Sequence, residues 1–433
     1  MSKEFVELLD VNEVIENLEP KSRKTIGLVD ALKAEEKKDE NYFDCNASIV
    51  TYKTGLPQLD YYLGYRINVY DQNDNVIDSY PSIGITGGSM VTFIGKPSTA
   101  KTTTAAQIAA NIVRNFQNGI VLHFDLEQAM NYSRIQNLTK FSMSDIKAGK
   151  YILRQELNTI NDIKATLMRL YLKKTSNPDL YKYKTGKLNE FGEEIEVFEP
   201  SVIIIDSIAT LSTGIDEGSK KDLAKLEEVG SQTERMRITG EIGRFFNEVL
   251  PYLRKANIIL ITINQIKDKP QLGFIHEPSE ILYLNPNEAL PGGKAPQFNA
   301  SILLKFVAVG SEKYNLDDDG FDGFGLKVMI VKSRGNQAGR FVNLIYDKVR
   351  GIDPIRSSIA YAKELGLTGG NKNAFYFTSD KDAKFSLKNV HEEFRADRSK
   401  YKLLFDNIVP VLENKLSMLT EADLEVIEEE MDY

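Results

Sequence analysis

Cysteine, histidine and long apolar runs are scarce in this chain of 433 residues, and each shortage excludes a class of protein. The single cysteine, Cys45, excludes an internal disulfide framework and indicates a reducing compartment. One cysteine and three scattered histidines also argue against a structural zinc site. No apolar run approaches the roughly 18 residues that cross a membrane. We therefore expect a cytoplasmic protein without a membrane partner.

Positive charge is also in short supply, since the formal net charge is −8. The position of the charges matters more than their sum. The segment from Leu416 to Tyr433 holds seven carboxylates and no basic residue, which predicts a solvated acidic tail. The rest of the chain is close to neutral, so a local basic strip that binds nucleic acid remains compatible with the composition.

From Met90 onward, short runs of Val, Ile and Leu alternate with helical patterns. Several runs are almost continuously apolar, as expected of strands that are covered on both faces. Ala105, Ile108, Ala109 and Ile112 recur at helical spacing between two such runs. Alternation of this kind predicts an α/β fold with a mostly parallel central sheet. The runs are MVTFIG, GIVLHFD, SVIIID, NIILITIN, SILLKF, LKVMIVK and FVNLIYD.

Changes of pattern divide the chain into four parts. We expect short amphipathic helices and a polar linker in residues 1–48, and the α/β core in 49–352. A small separate domain is predicted for 353–415, followed by the acidic tail, 416–433. Within the core, the polar segment 177–200 reads as a hairpin insertion.

The stretch GKPSTAKTTT, residues 95–104, resembles a phosphate-binding loop of the pattern G-x-x-x-x-G-K-[ST]. It lies between a predicted strand and a predicted helix, where backbone N–H groups point at an anion. Lys101 would bridge the β- and γ-phosphates, and the Thr102 hydroxyl would bind Mg²⁺. The predicted cradle consists of Gly95, Lys96, Pro97, Ser98, Thr99, Ala100, Lys101, Thr102 and Thr103.

Ala100 stands where the pattern has its second glycine. Glycine there permits unusual dihedral angles and a close backbone approach. Alanine is the smallest alternative, so the loop can form if Ala100 has an ordinary φ. Pro97 removes one N–H donor from the same loop. Taken alone, the stretch also fits a chance turn rich in Gly, Lys and Thr.

Two carboxylates follow buried runs downstream of the loop. Asp206 ends SVIIID, where a carboxylate on the Mg²⁺ side belongs. Glu127 follows VLHFD, where a carboxylate can orient and deprotonate an attacking water. A helix N-cap aspartate and a surface glutamate are the alternatives. The order of loop, Glu127 and Asp206 favours a nucleotide-hydrolysing site.

Together with these residues, several motifs make the chain resemble the RecA-type recombinases, especially their phage UvsX-type branch. The resemblance runs from about Ile49 to Gly366. It implies a RecA-like P-loop ATPase core, with an N-terminal helical oligomerisation segment and a small C-terminal domain. The UvsX-type loop also lacks the second glycine. The motifs are GKPSTAKT, FDLEQA, VIIIDSIATL, ITINQI, PGGKAPQF, IVKSRG and YDKVRGIDP.

The resemblance also implies roles for single residues. Glu127 matches the catalytic glutamate, and Asp206 matches the strand-end acid. Gln265, in INQI, matches the glutamine that senses the γ-phosphate and connects it to a DNA-binding loop. Lys332 and Arg334, in VKSRG, look like the pair that reaches the ATP of the neighbouring subunit. A solvated strand end is the alternative for that pair.

The adenine side of the site is less well marked. The family often has a tyrosine that stacks on adenine after the catalytic glutamate. Tyr132 and Arg134 are both candidates here, because the matching region reads QAMNYSRIQ. Tyr346, in YDKVRG, is assigned to the same nucleotide site.

Two segments are predicted to bind single-stranded DNA, which requires cations for phosphates and flat or apolar side chains for bases. They are 230–243 and 266–298, which in RecA-type proteins line the filament axis. Both also fit ordinary surface loops. The candidate contacts are Arg235, Arg237, Lys267, Lys269, Phe274, Gly292, Gly293 and Lys294.

The resemblance thus implies a DNA-dependent ATPase that uses ATP and Mg²⁺. It would form helical filaments on single-stranded DNA and exchange strands with double-stranded DNA, in a phage-infected cell or a bacterial-type cytoplasm. Mediator and single-strand-binding proteins are expected partners. The alternatives are a hexameric RecA-fold helicase and a RecA-fold ATPase that exchanges no strands.

Overall fold

A computed structural model describes residues 50–156, 159–212, 232–268, 285, 288–310, 322–371 and 374–416. These residues all fall within one compact unit, Ser48–Tyr433. The predicted oligomerisation segment, 1–48, lies outside the described residues, and so does the acidic tail beyond Leu416. Across the described ranges, none of the helices combines the length and apolarity that crossing a bilayer requires.

The strands, in chain order, are β1 (Thr51–Tyr52), β2 (Tyr65–Tyr70), β3 (Val76–Ser82), β4 (Ile85–Thr86), β5 (Met90–Gly95), β6 (Ile120–Asp125), β7 (Tyr151–Arg154), β8 (Lys182–Leu188), β9 (Glu194–Phe198), β10 (Ser201–Asp206), β11 (Ile258–Gln265), β12 (Lys267–Asp268), β13 (Glu288–Ala289), β14 (Ile302–Val309), β15 (Gly323–Ser333), β16 (Phe341–Asp347), β17 (Gly351–Ile352), β18 (Thr368–Asn371), β19 (Ala374–Phe377) and β20 (Asp380–Phe385). The helices are α1 (Pro57–Leu63), α2 (Lys101–Val113), α3 (Tyr132–Thr139), α4 (Met143–Lys147), α5 (Ile160–Thr175), α6 (Pro178–Tyr181), α7 (Gln232–Lys255), α8 (Ala295–Asn299), α9 (Pro354–Glu364), α10 (Val390–Ala396) and α11 (Ser399–Glu413).

The centre of the fold is a nine-stranded sheet in the order β17-β16-β15-β14-β5-β11-β10-β6-β7. From β14 to β7 all neighbours are parallel. Strands β15, β16 and β17 extend the sheet in antiparallel fashion. The predicted α/β class and the mostly parallel sheet are therefore confirmed.

Both faces of this sheet are buried, which explains the almost continuous apolar runs. In β10, Val202 and Ile204 pack into one apolar cluster with α2. Ile203 and Ile205 point the other way and pack into a second cluster with α5 and α7. Because side chains alternate along a strand, the positions on both faces of each run are mostly apolar.

The sheet also brings distant parts of the chain to one edge. Gly95, at the end of β5, pairs with Gln265 at the end of β11. Asp206, at the end of β10, pairs with Asp125 at the end of β6. The carboxyl ends of parallel strands form the ligand-binding edge of open α/β sheets. The fold thus assembles a site from residues that are far apart in sequence.

The parts that flank the sheet agree with the sequence patterns. Segment 177–200 contains the antiparallel hairpin β8–β9. After residue 353, helices α9, α10 and α11 pack with β18–β20 around a third apolar cluster. That cluster also takes in Tyr61 and Ile83, so the segment packs on the core. The separate domain over 353–415 stays a prediction.

Candidate nucleotide site

The phosphate-loop sequence connects β5 to α2, as its pattern predicts. Gly95 ends the strand at a position where neighbouring atoms leave no room for a Cβ. A Cβ there would lie 2.6 Å from the Phe306 carbonyl oxygen and 2.7 Å from Thr99 Oγ1. Only glycine fits without displacing backbone. Thr99 itself closes the turn by donating to the Lys96 carbonyl at 2.8 Å.

Ala100 does not have an ordinary φ, yet the loop and the helix after it form. Its backbone is left-handed, with φ 60° and ψ 18°. The Ala100 carbonyl accepts hydrogen bonds from Thr104 N at 2.9 Å and Thr104 Oγ1 at 2.7 Å, so Ala100 is the residue from which α2 begins. An L-residue in this conformation costs about 1–2 kcal/mol, so the loop tolerates alanine at a cost in stability.

The Lys101 ammonium lies back over its own loop. It donates to the carbonyl oxygens of Gly95 at 3.0 Å and Lys96 at 2.7 Å. Burial lowers the pKa of Lys101 to about 8, against the opposing pull of Asp206 and Glu127. A phosphate oxygen is a stronger partner for this cation than a neutral carbonyl, because the bond joins two opposite charges.

Thr102 and Asp206 lie side by side, although they come from different elements. The Thr102 hydroxyl donates to Asp206 Oδ2 at 2.6 Å. Burial raises the pKa of Asp206 to about 7, and the neighbouring carboxylates of Glu127 and Asp125 raise it further, against the lowering effect of the Thr102 hydrogen bond. Hard oxygen donors crowded by negative charge are the environment that a divalent cation relieves. Thr102 and Asp206 therefore fit the predicted metal role.

Glu127 is held by two side chains from neighbouring strands. Its Oε1 accepts from Ser207 Oγ at 2.7 Å and from Gln265 Nε2 at 2.8 Å. The Glu127 side chain is otherwise exposed, as a group that meets a water molecule must be. Gln265 thus contacts the predicted catalytic carboxylate, and its role as a γ-phosphate sensor stays a prediction. Its main chain continues into the second predicted DNA segment.

The residues predicted near adenine are partly brought together. The Arg134 guanidinium donates to the Tyr346 hydroxyl at 3.0 Å and to the Lys348 carbonyl oxygen at 2.5 Å. Those bonds connect α3 to the end of β16 and the turn after it. Tyr132 is 45 % exposed, so its ring is available to a flat partner.

Lys332 and Arg334 do not join the phosphate loop of their own chain. Lys332 Nζ donates to the carbonyl oxygens of Gln297 at 3.1 Å and Phe298 at 2.8 Å. Lys332 pairs with Leu303 near the start of β14, whereas Gly95, at the phosphate-loop end of β5, pairs with Phe306, three residues further along that strand. The Arg334 side chain is exposed.

The predicted DNA contacts are described only in part. The side chain of Arg235 and all of Lys269 and Phe274 lie outside the described residues. Arg237 is exposed on α7, and Lys267 lies in β12, which pairs with β13 across the second segment.

The glycine pair at the end of the second segment packs closely. Gly292 and Gly293 have φ of 81° and 71°. Added Cβ atoms would meet Ile208 Cγ2 at 2.9 Å and Thr239 Cγ2 at 2.7 Å. Both glycines are therefore required by conformation and by space. They bring the second DNA segment against α7, which carries part of the first, while Lys294 next to them is exposed.

Sequence reasoning missed three side chains at this site. Ser207 binds Glu127, and Asp125 accepts from the backbone N–H groups of Ala129 at 3.1 Å and Met130 at 2.9 Å. His123 lies behind Asp206, with Nε2 at 4.0 Å from Asp206 Oδ2. The signal was present, since polar residues are conspicuous in strands that are otherwise fully apolar.

No protein-family model matches the chain. Curated proteins named Protein RecA are similar to it over most of its length. The protein of Ureaplasma parvum serovar 3 is 23% identical over 369 residues, covering 82% of this chain and 92% of that protein. The Chlamydia pneumoniae protein is 22% identical over 84% of this chain and 83% of its own length. The Chlamydia trachomatis serovar L2 protein is 26% identical over 66% and 61% respectively. These similarities, together with the mostly parallel α/β core, support a RecA-type family for the chain.

Proposed function

We propose that the protein is a DNA-dependent ATPase that forms helical filaments on single-stranded DNA and catalyses homologous pairing and strand exchange. ATP and Mg²⁺ are its cofactors. The resemblance in sequence and the alanine in the phosphate loop favour the phage UvsX-type branch, and hence a phage-infected cell or a bacterial-type cytoplasm. Relatives named RecA over most of the chain support the general class.

The contact between Gln265 and Glu127 carries this proposal. Gln265 ends β11, and the next residue, Ile266, donates its N–H to the Gly95 carbonyl oxygen at 3.0 Å. Lys267 and Asp268 then form β12, which pairs with β13 at the base of the second DNA segment. A change at the γ-phosphate would therefore act on the main chain that enters a DNA-binding loop. Order–disorder switches in nucleotide hydrolases work by contacts of this kind.

Each residue of the site has a distinct task in hydrolysis. Lys101 and the N–H groups at the start of α2 bind phosphate oxygens. Thr102 and Asp206 hold the metal, which supplies positive charge to the transferring phosphoryl group. Glu127 orients and deprotonates the attacking water. Gln265 holds the Glu127 carboxylate and relays its position.

Filament formation would complete the site. Lys332 and Arg334 lie away from the phosphate loop of their own chain, which is the arrangement that a pair acting on a neighbour's ATP needs. In this role they act like an arginine finger supplied in trans. Residues 1–48 would dock on the adjacent core, since an open filament requires head-to-tail contacts. Residues 353–415 would form the small C-terminal domain.

DNA binding would be largely independent of sequence, because most contacts go to the phosphate backbone. Arg235, Arg237, Lys267, Lys269 and Lys294 would supply charge. Phe274 would wedge between bases, and Gly292 and Gly293 would let the backbone approach. Double-stranded DNA is the exchange partner, and mediator and single-strand-binding proteins would assist loading.

A strand-exchange assay tests this function. Circular single-stranded DNA and a homologous linear duplex are incubated with the protein, ATP and Mg²⁺, and joint molecules are separated by electrophoresis. We expect joint molecules only with homologous duplex. Hydrolysis stimulated by single-stranded DNA without any joint molecules would reject the recombinase function in favour of another RecA-fold motor.

A further inference from the structure

A hydrogen-bonded histidine and tyrosine lie beneath the metal-side acid. His123 Nδ1 lies 2.8 Å from the Tyr151 hydroxyl, and their rings meet edge to face at 6.0 Å between centroids. The other ring nitrogen, Nε2, is buried without a hydrogen-bond partner and lies 4.0 Å from Asp206 Oδ2. His123 is 0 % and Tyr151 1 % exposed.

This pair is unexpected where it lies. His123 is in β6, where it pairs with Ile204 of β10 and Leu153 of β7. The same face carries Val121 and Val202, which pack in the apolar cluster under α2. Burying two polar groups there brings no advantage over an apolar pair of the same shape. Side chains that depart from the usual rules of core packing are expected at functional sites.

The geometry fixes which nitrogen of His123 carries the proton. In a neutral imidazole one ring nitrogen carries the proton and the other accepts. A lone pair on Nε2 would face the Asp206 carboxylate oxygen, which repels it. The favoured tautomer therefore has its proton on Nε2, directed at Asp206, while Nδ1 accepts from the Tyr151 hydroxyl. At 4.0 Å the contact with Asp206 is longer than a hydrogen bond, so the N–H acts on the carboxylate through its partial positive charge.

We propose that Tyr151 and His123 are positioning residues that hold the Asp206 carboxylate in place for the divalent cation of the nucleotide site. The inference rests on the proposed nucleotide function. Thr102 donates to Asp206 Oδ2 from the helix side at 2.6 Å, and His123 Nε2 faces the same oxygen from within the sheet at 4.0 Å. Neither His123 nor Tyr151 touches nucleotide, so both act through Asp206.

The test measures the Mg²⁺ concentration that gives half-maximal binding of a fluorescent ATP analogue to the full chain. The double variant His123→Phe/Tyr151→Phe replaces both polar partners, so its unfolding temperature should stay at or above the wild-type value. Its Mg²⁺ requirement should rise about 10-fold, as for the loss of other partners behind metal ligands. The single variant His123→Gln places an amide N–H near the position of Nε2 and should keep the wild-type Mg²⁺ requirement.

A stable double variant with the wild-type Mg²⁺ requirement would overturn the inference. If the double variant does not fold, the single variant Tyr151→Phe decides. It removes the hydroxyl that donates to His123 Nδ1, so the His123 tautomer is no longer fixed, but it leaves the aromatic ring in place. A raised Mg²⁺ requirement then supports the role, and an unchanged one rejects it. Wild-type protein whose nucleotide binding is independent of Mg²⁺ would reject the proposed metal site itself, which is a different result.

Discussion

Gln265 donates a hydrogen bond of 2.8 Å to Glu127 across 138 residues of sequence. The two side chains leave different strands of the same sheet and meet at its ligand-binding edge. This bond joins the predicted catalytic carboxylate to the residue that leads into the second predicted DNA segment.

Gln265→Ala should uncouple DNA binding from hydrolysis. Nucleotide binding should persist, because Lys101 and Thr102 are untouched. Stimulation of ATP hydrolysis by single-stranded DNA should fall by about 5- to 150-fold, the usual range of a coupling between two sites. The exposed Gln117 offers a matched control, and Gln117→Ala should behave as wild type. Full DNA stimulation in Gln265→Ala would exclude the relay.

Lys332→Ala should reduce hydrolysis only in the assembled state, since the pair is proposed to act on a neighbouring subunit. On single-stranded DNA the rate of ATP hydrolysis should fall by at least about 100-fold. This is less than the effect of removing a complete arginine finger. Lys327→Ala, in the same strand, is the control. A mixture of Lys101→Ala and Lys332→Ala subunits should regain part of the activity, because some interfaces then hold two intact halves. Equal losses with and without assembly would place the role of Lys332 within its own chain.

Ala100→Gly should stabilise the protein, because glycine adopts the left-handed conformation without strain. Removing the strain of the left-handed alanine should gain about 1–2 kcal/mol. This is more than the cost of about 0.5–1 kcal/mol from the greater backbone freedom of glycine in the unfolded chain. We expect a slightly higher unfolding temperature and unchanged nucleotide binding. Ala165→Gly is the control, since Ala165 lies inside α5. Glycine in a helix interior should lower the free energy of unfolding by about 1 kcal/mol. A destabilised Ala100→Gly would show that the methyl group has a packing role.

Lys174 should make stability depend on pH. Its ammonium is buried and donates to the carbonyl oxygens of Glu199 at 2.6 Å and Ala256 at 2.9 Å. Burial lowers its pKa to about 7, whereas the unfolded chain has the usual value of 10.5. The unfolded state therefore binds more protons between these values, and stability rises with pH there.

Lys174→Met should remove that rise, while the exposed neighbour in Lys173→Met should keep it. Unfolding temperatures from pH 6 to 9 compare the variants with wild type. The free energy of unfolding of wild type should rise relative to Lys174→Met by on the order of 1 kcal/mol per pH unit at most. If wild type and Lys174→Met keep a constant difference over this range, the lysine is not titrating as its burial requires.

The central sheet and the main site residues were predictable for a simple reason. Strands buried on both faces give continuous apolar runs, and Glu127 and Asp206 stand where those runs stop. Their mutual geometry was not predictable, because it depends on strand order. Gln265 meets Glu127 only because β6, β10 and β11 are consecutive in the sheet, and local patterns carry no information on such strand order.

Ala100 and His123 show two further limits. Ala100 is left-handed, with φ 60°, and a sequence pattern that has glycine at this position does not say which φ an alanine there adopts. His123 and Tyr151 belong to separate strands, and each reads singly as a residue that interrupts an apolar run. Their hydrogen bond exists only once β6 and β7 are paired.

Electron microscopy of the protein with single-stranded DNA, Mg²⁺ and a slowly hydrolysed ATP analogue tests the central claim most directly. The account predicts continuous helical filaments that require both the nucleotide and the DNA. Closed six-membered rings, or no assembly on DNA, would contradict it.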